Sequence, residues 1–194
     1  MELGKLCSEI QTMKTLFIIS AFIIGVASLN AQESAFQLSL TPDIAIYPKT
    51  TQINGIALDI WGENPQHSLN LGFVNGSTGD SGGFTLSFFN YADSYTGVSW
   101  GLVNYSRTSF VGWQGGLFFC PCLVNVSQGK FTGFQEGIVN CAQEFHGFQL
   151  ALVNYTENLH GVQIGLVNIA LNNSWFDDFP DQLAKGFPIV NWSF

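Results

Sequence analysis

Charge is what this chain has least of. Only 10% of its 194 residues are Asp, Glu, Lys or Arg, where an average soluble domain carries about a quarter. Six residues are Lys or Arg and the net charge is −8. No basic patch could neutralise a row of phosphates, so nucleic acid is excluded as a partner. Cysteine is scarce as well, with 4 residues. Cys120 and Cys122 stand two apart, which sets them on one face of a strand in a geometry poorly suited to bridging each other. A bridge from Cys141 to one of them stays open. The Cys-Pro-Cys half-motif has neither a second Cys pair nor a neighbouring His, so it is not read as a metal or redox site.

Long apolar runs are also missing. The best is at 16–26, inside MKTLFIISAFIIGVASLNA, and it is too short for a spanning helix, which wants about 18 residues or more. With Lys14 before it and the small Ala31 at its end, the segment predicts a secretory signal peptide over 1–31. Residues 1–12 then lie upstream of a start at Met13. What remains, 32–194, suits a single domain. Its charge is still −8, because Glu2 and Glu9 leave together with Lys5 and Lys14.

Phe (18), Gly (21) and Trp (5) are plentiful, the mix of a β-protein with many tight turns. They recur in register. GFTLSFFN (83–90), GVSWGLVN (97–104), GFQEGIVN (133–140), GFQLALVN (147–154) and GVQIGLVN (161–168) align on their first Gly and last Asn, with the consensus G-x-Q-x-G-x-x-N. Degenerate copies stand at 55–62, 68–75 and 112–119, and the usual spacing is about 14 residues. The defining residues are Gly133, Gly147 and Gly161, Gln135, Gln149 and Gln163, and Asn75, Asn90, Asn104, Asn140, Asn154 and Asn168. Such a period is the mark of a repeat architecture.

Within a copy the side chains alternate with period two, so each copy reads as a strand. Phe148, Leu150 and Leu152 point one way; Gly147, Gln149, Ala151 and Val153 point the other. Folding the chain about Glu157 sets Val153 against Gly161 and Leu150 against Ile164, so bulky residues meet small ones and apolar residues meet apolar ones. The expected fold is therefore all-β, an antiparallel up-and-down meander. The alternative is a single-chain β-solenoid with one 14-residue repeat per coil. It would stack Asn140, Asn154 and Asn168 into one ladder and Gln135, Gln149 and Gln163 into another. Against the solenoid, segments such as YTENLH and CAQEFH carry polar residues where a second inward strand would need apolar ones.

The tail FPIVNWSF places Val190, Trp192 and Phe194 at alternate positions, which resembles the C-terminal assembly signal of bacterial outer-membrane barrels. With AFQLSLTPDI and INGIALDIWG in front, about ten strands would close into a barrel, leaving no exposed edge. Outer-membrane lipid and the barrel-assembly machinery would be its partners. A soluble, secreted β-protein with the Phe/Leu/Ile stripe as its core is the competing reading.

The repeats and the tail together resemble the surface repeat-containing proteins of diderm bacteria. The resemblance covers about residues 55–194. It implies export and a cell-surface or outer-membrane location, and it carries no activity and no catalytic residues. Chains of this type are sometimes labelled polyhydroxyalkanoate synthases, an enzyme class that needs a G-x-C-x-G nucleophile elbow. Cys141 in VNCAQ and Cys120 in FFCPC lack the flanking glycines, so the label is rejected.

Other chemistry is thin. His146 and His160 share one repeat position but have no recurring third ligand. Asp177, Asp178 and Asp181 lack the spacing of a calcium loop. The expectation is an exported, non-enzymatic surface or outer-membrane structural protein with no catalytic residues, metal or cofactor. The alternative is a secreted module binding glycans or proteins through aromatics such as Trp100 and Trp113. The recurrent Asn is expected to cap the strand end or start the turn, where its side chain can bond local backbone.

Overall fold

The computed structural model describes residues 32–116, 122–173 and 186–194. The expected leader, Cys120 and the acidic Asp177, Asp178 and Asp181 lie outside these residues. The strands are β1 (Glu33–Thr41), β2 (Ile44–Ala45), β3 (Gln52–Asn64), β4 (His67–Leu86), β5 (Phe89–Trp100), β6 (Val103–Gly115), β7 (Val124–Ala170) and β8 (Gly186–Ser193). They form one mixed eight-stranded sheet in the order β2-β1-β3-β4-β5-β6-β7-β8.

The all-β expectation holds; the antiparallel meander does not. β1–β3, β3–β4, β4–β5, β5–β6 and β6–β7 all pair in parallel. Like lies on like: Asn75 on Asn90, Asn90 on Asn104, Asn104 on Asn125, and Gly97 on Gly112 on Gly133. Val153 does not face Gly161. Instead, Gly161 packs so tightly over Gly147 that an added Cβ would come 2.0 Å from the Gly147 carbonyl oxygen. Nor does the sheet close by hydrogen bonds into a ten-stranded cylinder. The chain winds as a solenoid, one repeat per coil, and β7 alone runs for 47 residues because it stays extended through successive coils.

The physical reason lies in the amides. An antiparallel register would set Gln149 against Gly165 and Gln163 against Ala151, leaving those amides without a partner. In-register parallel stacking gives the Asn and Gln of the regular repeats an identical neighbour one coil away. The consensus glycine also fits this register. Gly83, Gly97, Gly112, Gly133, Gly147 and Gly161 have φ between 113° and 149°, a region L-residues rarely adopt. Each turns a corner directly against the carbonyl of the coil before it.

Each coil turns inside out relative to an ordinary core. In the 147–160 coil the buried residues are Gln149, Ala151, Asn154, Thr156 and Leu159, while Leu150 and Leu152 face outward. Strict alternation is interrupted where two successive residues face out, at Leu152-Val153 and again at Glu157-Asn158. Those corners explain how YTENLH can be a wall of the coil. Its inward residues are Thr156 and Leu159, and its polar pair lies outside. Ala142 and Phe145 do the same in CAQEFH. One apolar column does run inside. Tyr95, Phe110, Phe131 and Phe145 stack with ring centroids 5.6, 5.2 and 5.1 Å apart, and Leu159 joins the same buried cluster.

Both ends of the stack are capped by reversals. β2 lies antiparallel on β1, and β8 lies antiparallel on the last coil with Gly161 opposite Ser193 and Val162 opposite Trp192. Pro188 and Ile189, the latter at φ 74°, stand where the β7–β8 register shifts, between Gly165 opposite Ile189 and Asn168 opposite Phe187, as Pro within a strand commonly marks a bulge.

Candidate interaction surface

The interior of the solenoid is held by polar ladders. Asn90, Asn104, Asn125, Asn140 and Asn154 each donate from Nδ2 to the Oδ1 of the next Asn, ending at Asn168, at 2.8–3.0 Å. A second ladder runs the opposite way: Gln163 donates to Gln149, Gln149 to Gln135 and Gln135 to Gln114, at 2.9, 2.8 and 3.0 Å. A buried amide left unpaired costs on the order of 1–3 kcal/mol, so this interior is tolerable only because the chains of donors are continuous. The recurrent Asn therefore sits inside the coil rather than starting an exposed turn. Asn125, inside the CPCLVNV insertion, is a full member that the repeat alignment passes over, and Gln114 of the degenerate copy at 112–119 is a member as well. The LVN at 123–125, which repeats the end of GVQIGLVN, is the signal that marks the first.

What the amides displace is on the outside. Leu152 and Leu166 are 51% and 68% exposed, Phe73 and Phe88 58% and 54%. Along the axis Phe84, Trp100, Trp113, Phe134 and Phe148 form an outer aromatic row with centroids 4.9–5.8 Å apart. Trp100 and Trp113 meet edge to face, so the two rings pack on each other. At the N-terminal end, two contiguous open clefts of about 540 and 380 Å³ share Leu71 and Gly72. Leu and Phe side chains wall them, and Ser39, Asp59, Gly72, Ser87 and Gly101 form the floor.

The ion pairs gather at another corner, although Glu136 stands on the outer face at the place of Leu150 and Ile164. Arg107 pairs with Asp93 at 2.5 Å, and Lys130 and His146 both reach Glu144, at 3.2 and 2.8 Å. His146 first, then Lys130, holds the Glu144 carboxyl below the usual carboxylate range. His146 and His160 stack with centroids 4.6 Å apart. Among the described residues no three His, Cys, Asp or Glu side chains gather as a metal site would require. Nearer the N-terminus Trp61 donates to the Tyr91 hydroxyl, which donates to Glu63 at 2.8 Å. Burial chiefly pushes that phenol up to about 12.

Cys122 and Cys141 are free thiols. Cys122 is built into the ladder, accepting from Asn104 and donating to Asn125 Oδ1 at 3.2 Å, and burial pushes its thiol up to about 11. A thiol so protonated is a poor nucleophile. The tail residues Val190, Trp192 and Phe194 belong to the capping segment, where Val190 pairs with Ile164 and Trp192 with Val162. No family model, curated protein or solved structure matches the chain.

Proposed function

We propose that the chain is an exported, non-enzymatic structural β-repeat protein of the outer membrane or cell surface, which rests on membrane lipid through the apolar sides of its coils. The observation that carries this reading is the inversion of polarity. Amide ladders share the inside with one aromatic column, and exposed Leu, Ile and Phe recur on the outside along the stack, with Glu136 among them. Contiguous exposed apolar surface of this kind marks an interaction site. The charged groups at Asp93, Arg107, Lys130 and Glu144 lie on a corner that stays in water when the apolar sides meet acyl chains. Lipid contact of this kind needs no pore and no enzyme.

Fractionation of the producing cells and flotation of the purified protein with vesicles test it. The expected result is recovery in the membrane fraction and co-flotation. Leu152→Lys with Leu166→Lys is expected to release the protein into the soluble fraction while leaving its β-sheet spectrum unchanged. Quantitative recovery of the unaltered protein in the soluble periplasm or medium without detergent would defeat the proposal.

A second reading is favoured by the clefts around Leu71 and Gly72. In it the protein is a soluble secreted module taking an apolar segment of a protein ligand. It predicts a folded, detergent-free monomer with saturable binding.

A further inference from the structure

The asparagine ladder has a direction, and its first rung is incomplete. From Asn104 onward every ladder oxygen accepts a hydrogen bond from the Asn of the coil before it, while Asn90 Oδ1 accepts from the Thr85 and Ser87 hydroxyls of its own coil. At the far end Asn168 donates to the carbonyls of Gly165 and Phe187. Upstream, Asn75 donates to the Thr85 hydroxyl at 2.9 Å, and Thr85 relays to Asn90 Oδ1 at 2.7 Å. Asn75 Oδ1 is buried and accepts nothing. By the logic of the ladder its donor should come from β3, where the residue in register with Asn75 is Gly62.

In β3 the usual pair is transposed. The place occupied by Gly72 in β4 is held by Asp59, and the place of the ladder Asn by Gly62. The carboxyl fills the vacated space, since a Cβ on Gly62 would come 2.1 Å from Asp59 Oδ2. Asp59 is only 8% exposed, and its Oδ1 is buried without a hydrogen-bond partner. Two buried oxygens in adjacent coils therefore lack a donor where the ladder calls for one. An ionised carboxylate only accepts; the neutral acid carries one O–H to give.

We propose that Asp59 enters the ladder as the neutral acid, donating its O–H to Asn75 Oδ1, and that loss of this proton to solvent loosens the N-terminal coils. The inward neighbours offer no countercharge: Gln37 and Ser39 on β1, and Asn70, Asn75 and Ser77 on β4, are neutral. Burial raises the carboxyl to about 6, against the opposing pull of the Ser39 hydroxyl and amide. An unfolded Asp titrates near 3.9. Between those values the folded chain holds a proton that the unfolded chain has lost. The stability from this rung is thus complete below about pH 4 and is lost as pH rises through about 6.

The experiment follows the melting temperature of the full chain from pH 4 to 8, with carbon NMR of the Asp59 carboxyl. Expected are a carboxyl midpoint near 6, a side-chain amide of Asn75 that shifts in the same step, and a melting temperature that falls across it. Asp59→Asn supplies a permanent N–H donor and should flatten that dependence. The double variant Asp59→Gly with Gly62→Asn, which restores the ordinary Gly and Asn places, should flatten it too. Titration of Asp59 near 4 overturns the proposal. So does a pH dependence that persists in Asp59→Asn. A rise in melting temperature at pH 7.5 on adding sodium or calcium, present in the parent and absent in Asp59→Asn, overturns it as well, because a cation would then hold the carboxylate.

Discussion

The two halves of the solenoid fill the same interior column with different chemistry. Toward the N-terminus the column holds Ile53, Gln66 and Ser81; from β5 onward it holds Tyr95, Phe110, Phe131, Phe145 and Leu159. The C-terminal coils pair this aromatic stack with an unbroken Asn ladder. In the N-terminal coils each polar residue must find its own partner. Gln66 does so, with the Gly76 carbonyl and the Ser77 and Ser68 hydroxyls. Both side-chain atoms of Asn70, the Oδ1 of Asn75 and the Oδ1 of Asp59 do not. Regularity of the repeat is thus a requirement of the hydrogen bonding. Once the pattern degenerates, buried amides lose the neighbours that made their burial tolerable.

That contrast can be broken most severely in the aromatic half. Phe131 is fully buried between Phe110 and Phe145, so Phe131→Ala should cost about 3–5 kcal/mol through lost burial and a cavity. Chemical denaturation would read this as a lowered midpoint. Next comes the ladder. Asn154→Leu removes the donor to Asn168 Oδ1 and to the Ile164 carbonyl, and the acceptor of Asn140. The expected loss is about 3 kcal/mol, in keeping with the cost of stranding buried polar groups. Asn75→Leu should cost visibly less in the same assay at pH 7.5, where Asp59 has lost its proton and the Oδ1 being removed has no donor. Equal losses at 154 and 75 would mean that ladder continuity contributes nothing beyond the single residue.

Much of this was legible in the sequence, though not its polarity. The repeat, its period and its strand character follow from G-x-Q-x-G-x-x-N, and so does the prospect of Asn and Gln ladders. Alternation alone could not say which side of the strand faced in. Phe148, Leu150 and Leu152 make as good a core stripe on paper as Gln149 and Ala151 make a poor one. The paired outward residues, Leu152-Val153 and Glu157-Asn158, shift the phase of the alternation and hid Thr156 and Leu159 within what read as a hairpin turn. The transposition of Asp59 and Gly62 was visible as GIALDIWG among its neighbours. Its meaning needed the register, which alone sets that coil beneath Asn75.

The smallest effect belongs to the charged corner, where the comparison is between groups in water and groups in the ladder. Glu144 is partly exposed and held in its ionised form by His146 and Lys130. Whatever stability it lends is present above the ordinary carboxylate range and is lost as pH falls through and below that range, the reverse of the direction for Asp59. Glu144→Gln should shift the melting temperature least of the variants named, and moderate salt should erase even that shift, since exposed pairs are screened within about 10 Å at 0.1 M. The ladder variants should hold their losses in the same salt, because their hydrogen bonds lie inside the coil. If salt reduced the effect of Asn154→Leu as it does that of Glu144→Gln, the interior would be open to water and the amide columns would not be what keeps the coils in register.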